Sequence, residues 1–356
     1  MIHIGYGFQR SLAGGEAVRA ISLLPALVGH KFGFIYDMKI IDKSYAEGAF
    51  LRTKPVKRIP QMKLAEYIER GEIRFLYIYN SNPLASLPNQ NRLRRALKDG
   101  DVFIVVHDIF LTDTALFADV VLPANTFFER LDIADSYYHR YVAVNEPVAS
   151  LHGKSNREMT VMLAKALEID NPYLYETEEE IIRKILQQND LSWEELRNNG
   201  FLKISEKPRE YPTPSGRIEF YSQRAVRRGL LPFPAYSSLK GDYPLQLLSP
   251  TYRMTTTSQY HNTYGIIDPH LYINPKDAGE RGINEGDTVE VYNRFGRIKT
   301  TIKLTEDVLG GVVLLYKAFW ISKLGWNVNV LTTDETVNKY GNASSYHSTW
   351  VNIRKV

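Results

Sequence analysis

Two short loops carry side chains suited to holding a nucleotide. One reads Asn80-Ser81-Asn82-Pro83, and the other runs from His107-Asp108 through Thr112 and Thr114. A carboxylate or amide oxygen at a strand end can accept from hydrogen-bond donors on the edge of a nucleotide base. Asp108 and Asn82 are the two candidates. A pyrophosphate needs backbone N–H groups and hydroxyls, which Ser81 and the loop from Ile109 to Thr114 supply if a helix begins there. Turn and cap roles compete for the same residues, because Asn-Pro pairs mark turns and Asp side chains bond their own backbone.

The residues before each loop indicate what positions it. Phe75 to Tyr79 and Val102 to Val106 are continuous apolar runs, which suit parallel strands buried on both faces. The basic segment Arg92 to Lys98 between them reads as a helix. A strand, a helix and a second strand wind right-handedly, so both strand ends open on one edge, where open α/β sheets bind their ligands. The run Ala118-Asp119-Val120-Val121-Leu122-Pro123 follows, with Asp119 reading as a structural residue.

Composition excludes several classes. A chain of 356 residues has room for roughly two or three domains, and its 44% hydrophobic and 24% charged content argues against dominant disorder. The net charge of +4 is mild, and the basic clusters Lys54 to Arg58, Arg92 to Arg95 and Arg224 to Arg228 are short and interrupted. They fit solvated faces or a small anionic ligand, not the sustained basic surface that nucleic acid requires. With no cysteine, the chain cannot hold an iron-sulfur cluster by thiolates, use a thiol nucleophile or form a disulfide. The eight histidines are scattered, with no pair at the spacing of one helix face, so no zinc site is expected. No apolar run approaches the roughly 18 residues of a membrane span, and no basic-then-apolar leader opens the sequence. A cytoplasmic chain or a mature soluble subunit is expected.

Along the chain, Val18, Ile21, Leu24 and Val28 recur at helical spacing after the Gly-rich opening from Gly5 to Gly15, and Gly29 stops the pattern. Lys31 to Pro60 reads as an irregular connector and Glu129 to Val148 as extended structure. Amphipathic helices are expected over Arg157 to Leu167 and Glu176 to Gln188, and Ser192 with Glu195 suggests a capping box for a third. Pro208, Pro212, Pro214, Gly216, Gly229, Pro232, Pro234 and Gly241 mark a linker. From Tyr243 onward, tight turns at Gly282 to Asp287 and Arg294 to Arg297 separate short strands. Those at Thr288 to Tyr292, Lys299 to Leu304 and Val312 to Tyr316 argue a compact β-barrel.

Four stretches in this order resemble the second half of the molybdopterin (bis-guanine-dinucleotide) oxidoreductases, the family of dimethyl sulfoxide reductase, formate dehydrogenase and periplasmic nitrate reductase. They are Gly5-Tyr6-Gly7-Phe8-Gln9-Arg10 with Gly14-Gly15 and Val18-Arg19, Val105 to Glu129, Ser249 to Asn262, and the barrel turns Asn274 to Ala278 with Gly282 and Gly286-Asp287 leading to Asn329-Val330-Leu331-Thr332. The resemblance implies an α/β fold: a partial Rossmann-like parallel sheet domain over 1–236, then a C-terminal double-psi β-barrel domain over 237–356. Within the first, 129–156 is expected to pack toward a missing N-terminal domain.

The resemblance also implies a cofactor, molybdopterin guanine dinucleotide (bis-MGD) carrying molybdenum or tungsten. Its contacts would fall on Gly7, Gln9, Arg10, Asn80, Ser81, Asn82, His107, Asp108 and Thr112 in the first domain. In the barrel they would fall on Thr251, Arg253, Met254, Thr255, Thr257, Ser258, Gln259, Asn329, Tyr346 and His347. An Arg beside several hydroxyls suits a diphosphate. Met254 departs from the acidic or polar residue of some members, which leaves it a backbone contact. The family's metal ligand and any iron-sulfur cysteines lie upstream of the matched part, so no metal ligand is expected here and the chain contributes positioning and electrostatics.

A half-sheet exposes an unpaired apolar edge. Either an obligate partner carrying the N-terminal half or a truncated gene product is therefore expected, and the resemblance adds an electron-transfer subunit as a partner. The function implied is that of the C-terminal part of a molybdenum or tungsten oxidoreductase, inactive without its other half, with formate, a sulfur compound or nitrate all open as substrate. The alternative is a cofactor-free structural homologue like the large iron-sulfur subunit of respiratory complex I, and a third reading is an unrelated nucleotide-binding double-psi barrel. Retention of Asp108, Thr112, Arg253 and the hydroxyl run favours the first.

Overall fold

The computed structural model describes residues 1–356 except 36–39, 49–55, 152, 206–209, 266–267, 318, 336–339 and 342, and the side chains of 35 and 262. Lys54, His152, Pro208 and part of the Lys31 to Pro60 connector therefore lie outside the described residues.

The first layer begins with β1 (Ile2–His3), α1 (Gly14–Leu27) and β2 (Phe34–Ile35). Gly29, at φ +75°, ends the α1 pattern as its position suggests. β1 and β2 pair in parallel, so the connector is not wholly irregular. Then follow α2 (Leu64–Glu69), β3 (Phe75–Tyr79), α3 (Pro83–Ser86), α4 (Gln90–Asp99), β4 (Phe103–Asp108) and β5 (Val120–Pro123). β3, β4 and β5 form a parallel sheet with β4 in the middle. On one face Ile78, Ile104 and Val106 pack with Ile68 of α2 and with Leu93, Ala96 and Leu97 of α4.

The other face is open along β3 and at the start of β4. Burial on both faces holds for most of β4 but not for β3, where Phe75 is 62% and Tyr79 54% exposed. α2 and α4 cover only one side, and Phe75 and Phe103 stack on each other, with 6.2 Å between ring centroids.

A second unit contains β6 (Asp132–Asp135), β7 (Tyr141–Asn145), α5 (Asn156–Ala166), α6 (Glu178–Gln188), α7 (Trp193–Asn199) and β8 (Phe201–Lys203). The antiparallel sheet β6-β7-β8 buries Val142 and Leu202 against Ile182, Ile185 and Leu186 of α6 and Trp193 and Leu196 of α7. The strands of 129–156 thus pack one face on helices of this chain, while Tyr137, Tyr138 and Tyr141 stay exposed. Ser155 with Glu158 and Thr177 with Glu180 close reciprocal capping boxes. At α7 only half of the expected box forms, the Ser192 hydroxyl accepting from the Glu195 N–H.

The Pro- and Gly-rich stretch, with α8 (Gln223–Val226), is tied down. Arg19 of α1 donates to the Pro232 carbonyl at 2.8 Å, and a Cβ on Gly241 would meet the Trp350 ring at 2.1 Å.

The C-terminal part comprises β9 (Leu245–Leu248), α9 (His261–Tyr264), β10 (Leu271–Ile273), α10 (Pro275–Gly279), β11 (Thr288–Tyr292), β12 (Arg297–Leu304), β13 (Val312–Leu314), α11 (Ile321–Leu324) and β14 (Thr349–Lys355). Its strands close into a barrel in the order β10-β12-β11-β14-β9-β13, mixing parallel and antiparallel pairs. Period-two alternation sends Leu245, Leu247, Val289, Val291, Ile298 and Ile302 inward. Gly282 and Gly286 both have positive φ, the backbone conformation that the turn before β11 needs. The expected α/β class, a parallel sheet followed by a double-psi barrel, is the class observed.

Candidate functional site

The parallel register sets Tyr79 beside His107, so β3 and β4 do deliver Asn80 to Asn82 and His107-Asp108 to one edge. Asn80 sits at φ +51° and is exposed, as is Ser81. Asn82 is buried, and its Oδ1 accepts from the Thr114 hydroxyl at 2.7 Å and from the Thr114 N–H at 3.3 Å. Thr114 in turn accepts from the Leu84 N–H at 3.0 Å. The acceptor expected to meet guanine is thus engaged by a neighbouring hydroxyl, and the open group on Asn82 is a donor, the buried and unpartnered Nδ2.

His107 is fully buried. Its Nε2 lies 3.0 Å from the Lys154 carbonyl, which requires the hydrogen there and leaves the buried, unpartnered Nδ1 as an acceptor in the neutral ring. Asp108 accepts from the Ile109 N–H at 2.7 Å and the Phe110 N–H at 3.4 Å through Oδ1, which leaves Oδ2 open. Burial holds its carboxyl above the usual range, with those two bonds acting against the shift.

Thr112 is buried, with its hydroxyl accepting from the Ala115 N–H at 3.2 Å. The amides of Ile109, Phe110, Thr112 and Thr114 are all engaged internally, and only a single helical turn, Ala115–Phe117, follows. The fold thus engages these four amides itself.

The barrel grips the short helix α3 that joins this edge to its own loops. Asn327, fully buried, donates to the Ala85 and Phe319 carbonyls at 3.0 and 2.7 Å. Asn329 also donates to the Ala85 carbonyl, at 3.2 Å, and the Tyr346 hydroxyl donates to the Ser86 carbonyl at 2.5 Å. Asp113, only 2% exposed, accepts from the Ile321 and Ser322 N–H groups at 2.5 and 3.2 Å, at the start of α11. Sequence reasoning missed Asp113, and no local signal marks a residue whose partners lie 208 and 209 positions away.

At this junction lies a cavity of about 380 Å³ whose lining includes Arg10, Ser86, Thr257, Lys317, Asn329 and Tyr346. Four of the residues singled out in the sequence, Arg10, Thr257, Asn329 and Tyr346, therefore converge from separate segments. Lys317 was not foreseen. The Arg10 guanidinium and the Lys317 ammonium lie 5.5 and 5.7 Å from the Tyr346 ring centroid, and among the described residues neither has a carboxylate partner. Burial, and then the charge of Arg10, pushes Lys317 down to about 8. Burial followed by the two cations also lowers the His347 imidazole, and the main-chain N–H of His347 donates to the Arg10 carbonyl at 2.9 Å. Burial raises the Tyr346 phenol.

The rest of the expected set is dispersed. Thr251, Arg253, Met254 and Gln259 are exposed on the loop after β9. Thr255 is buried with its hydroxyl donating to the Tyr252 carbonyl at 3.3 Å, and the Ser258 carbonyl accepts from Trp320 Nε1 at 2.9 Å. Gly7 and Gln9 lie at the turn that carries Arg10, and Gly7 lines a second, more apolar cavity of about 730 Å³ with Phe8 and Tyr236. The strand edge and the junction cavity share no lining residue. α3, four residues and roughly 6 Å long, separates them.

A family model for molybdopterin oxidoreductases matches residues 1–164, and one for the molydopterin dinucleotide binding domain matches residues 245–350. The chain belongs to the molybdopterin oxidoreductase family. It is 34% identical to a probable oxidoreductase, YoaE, of Bacillus subtilis, over 100% of this chain and 56% of that protein. It is 29% identical to the dimethyl sulfoxide reductase DmsA of Escherichia coli, over 99% of this chain and 53% of that protein. The acetylene hydratase of Pelobacter acetylenicus has the same fold over 83% of this chain and 46% of its own, with a TM-score of 0.72 at 20% identity. The chain thus spans about half the length of the relatives it matches.

The family's molybdopterin dinucleotide suits the groups this chain leaves open. Among the described residues Asn82 Nδ2 and His107 Nδ1 are buried without partners, and Arg10 and Lys317 have no carboxylate partner. Among the described residues no cluster of three or more His, Cys, Asp or Glu could hold a metal. No helix among them is long and apolar enough to cross a membrane.

Proposed function

We propose that this chain binds a molybdopterin guanine dinucleotide, as bis-MGD with molybdenum or tungsten, across α3, between the β3/β4 edge and the barrel. The observation that carries this reading is the convergence of Arg10, Thr257, Asn329 and Tyr346 on one cavity. At the strand edge, Asp108 Oδ2 accepts from the guanine N1 and N2 donors, while Asn82 Nδ2 donates and His107 Nδ1 accepts. At the junction, Arg10 and Thr257 meet phosphate oxygens, and Asn329 and Tyr346 hold the cavity wall in place through α3.

The cofactor supplies the two-electron chemistry, acting on a small substrate. This chain orients it and offsets its charge. We assign 1–236 to the oxidoreductase domain and 237–356 to the dinucleotide-binding barrel. The open face carrying Phe75, Tyr79 and Phe103 receives the segment that completes the relatives' length, without which the chain is inactive.

The test is the guanine nucleotide released by acid from the purified protein. Arg10→Gln should lower nucleotide retention by about tenfold, the loss of one charged hydrogen bond. Undiminished retention in this variant, with its fold intact, would count against the assignment.

A further inference from the structure

Lys317 lies outside every stretch that the sequence pattern picks out, yet it shares the junction cavity with Arg10. Its main-chain N–H bonds the Pro250 carbonyl at 3.0 Å, which fixes where the side chain leaves the backbone just beyond β13. Arg10 and Lys317 both reach the Tyr346 ring, from a turn near the N-terminus and from the barrel respectively. The other lining side chains with polar groups, Gln61, Ser86, Thr257, Asn329, Ser344 and Tyr346, carry no charge at neutral pH. Two cations held together without an acid repel one another, and an anion between them relieves that repulsion.

We propose that Lys317 and Arg10 form a proton-linked clamp for a phosphate group of the dinucleotide, an inference that rests on the cofactor reading above. Burial and the Arg10 charge hold the empty-site Lys317 at about 8, so near that pH part of the population is neutral. A seated phosphate favours the ammonium form and raises its pKa, so binding takes up a proton. The neighbours change charge elsewhere: His347 is pushed below its ordinary value of 6.5 and Tyr346 above its ordinary 10, and a guanidinium does not titrate in this range. Between those limits Lys317 alone among the described groups facing the cavity titrates. Affinity for the anion should therefore be level below its empty-site value and fall as the pH rises through it.

The experiment is calorimetric titration of the purified, cofactor-stripped protein with guanosine diphosphate and, separately, with sulfate, whose charge is fixed. It spans about pH 6.5 to 9, on either side of the Lys317 value. For the native sequence, affinity should weaken by up to tenfold per pH unit above that value. Lys317→Arg should bind with no such slope, because the guanidinium stays charged. Lys317→Met should bind about 10- to 100-fold more weakly at neutral pH, also without the slope. A native affinity independent of pH, a Lys317→Met variant that binds as tightly as the native protein, or a slope seen with guanosine diphosphate but not with sulfate would each overturn the clamp. If the native protein carries no pterin while sulfate still shows the Lys317-dependent slope, the clamp stands and the cofactor reading falls. Native pterin with no slope has the converse meaning.

Discussion

Replacing Asp113 by Ala removes the carboxylate that fastens the barrel to the strand-end loop. Its two oxygens accept from Ile321 at 2.5 Å and from Ser322 at 3.2 Å, in the first turn of α11. Bonds to a buried charge contribute about 1.5 to 3 kcal/mol each, and losing a helix cap costs about 0.5 to 2 kcal/mol. Ser322 is exposed, so water replaces the longer bond, while the half-buried Ile321 amide loses the stronger one. A local loss of about 2 kcal/mol follows, equivalent to about 30-fold lower protection of those amides against hydrogen exchange. Exchange measured by mass spectrometry on a peptide covering α11 is the right assay, because a protein of several units need not unfold in two states. Protection changed by less than about twofold in folded Asp113→Ala protein would refute the reasoning.

Other changes have equally definite outcomes. Asp119→Ala strips the Ile104 N–H in β4 of its 2.7 Å partner and should destabilise the parallel sheet by about 1 to 3 kcal/mol, read as a lower urea midpoint for that unit. Gly153→Ala would place a Cβ 2.3 Å from the Ala124 carbonyl oxygen and 2.5 Å from the Asn125 nitrogen, backbone atoms that cannot yield cheaply. It should cost about 1 to 3 kcal/mol in the same unfolding experiment and perturb the imidazole resonances of His107, which leans on the adjacent Lys154 carbonyl. Asp108→Asn should stabilise the cofactor-free protein at neutral pH, because the folded-state carboxyl is raised and its ionisation opposes folding. The gain should shrink as the pH falls through that raised value, while guanine nucleotide affinity drops. Melting curves across pH check the sign.

The barrel was the most legible part, since its signals are local. Val289 and Val291 alternate, and Gly286-Asp287 makes a turn that needs positive φ. The apolar runs of β3 and β4 were equally clear, but a run reports burial in the assembled molecule. The open face at Phe75 and Tyr79 is therefore visible only in three dimensions. For Asn82 and Thr112, residue type showed capacity but not geometry; the fold turns Asn82 Oδ1 onto Thr114 and leaves its Nδ2 open, and the Thr112 hydroxyl accepts from the Ala115 N–H. Asp113 and Lys317 carried no signal at all, because what gives each its role lies far away in sequence, at α11 and at Arg10.

The central claim is that this chain holds one side of a bis-MGD site, and metal content tests it most directly. Purified protein, together with the segment that completes it, should carry molybdenum or tungsten near one per chain, with a pair of guanine nucleotides for each metal and pterin fluorescence after oxidation. Protein that is folded and complete but contains no molybdenum, tungsten or pterin would contradict the claim and leave the chain a cofactor-free member of its family.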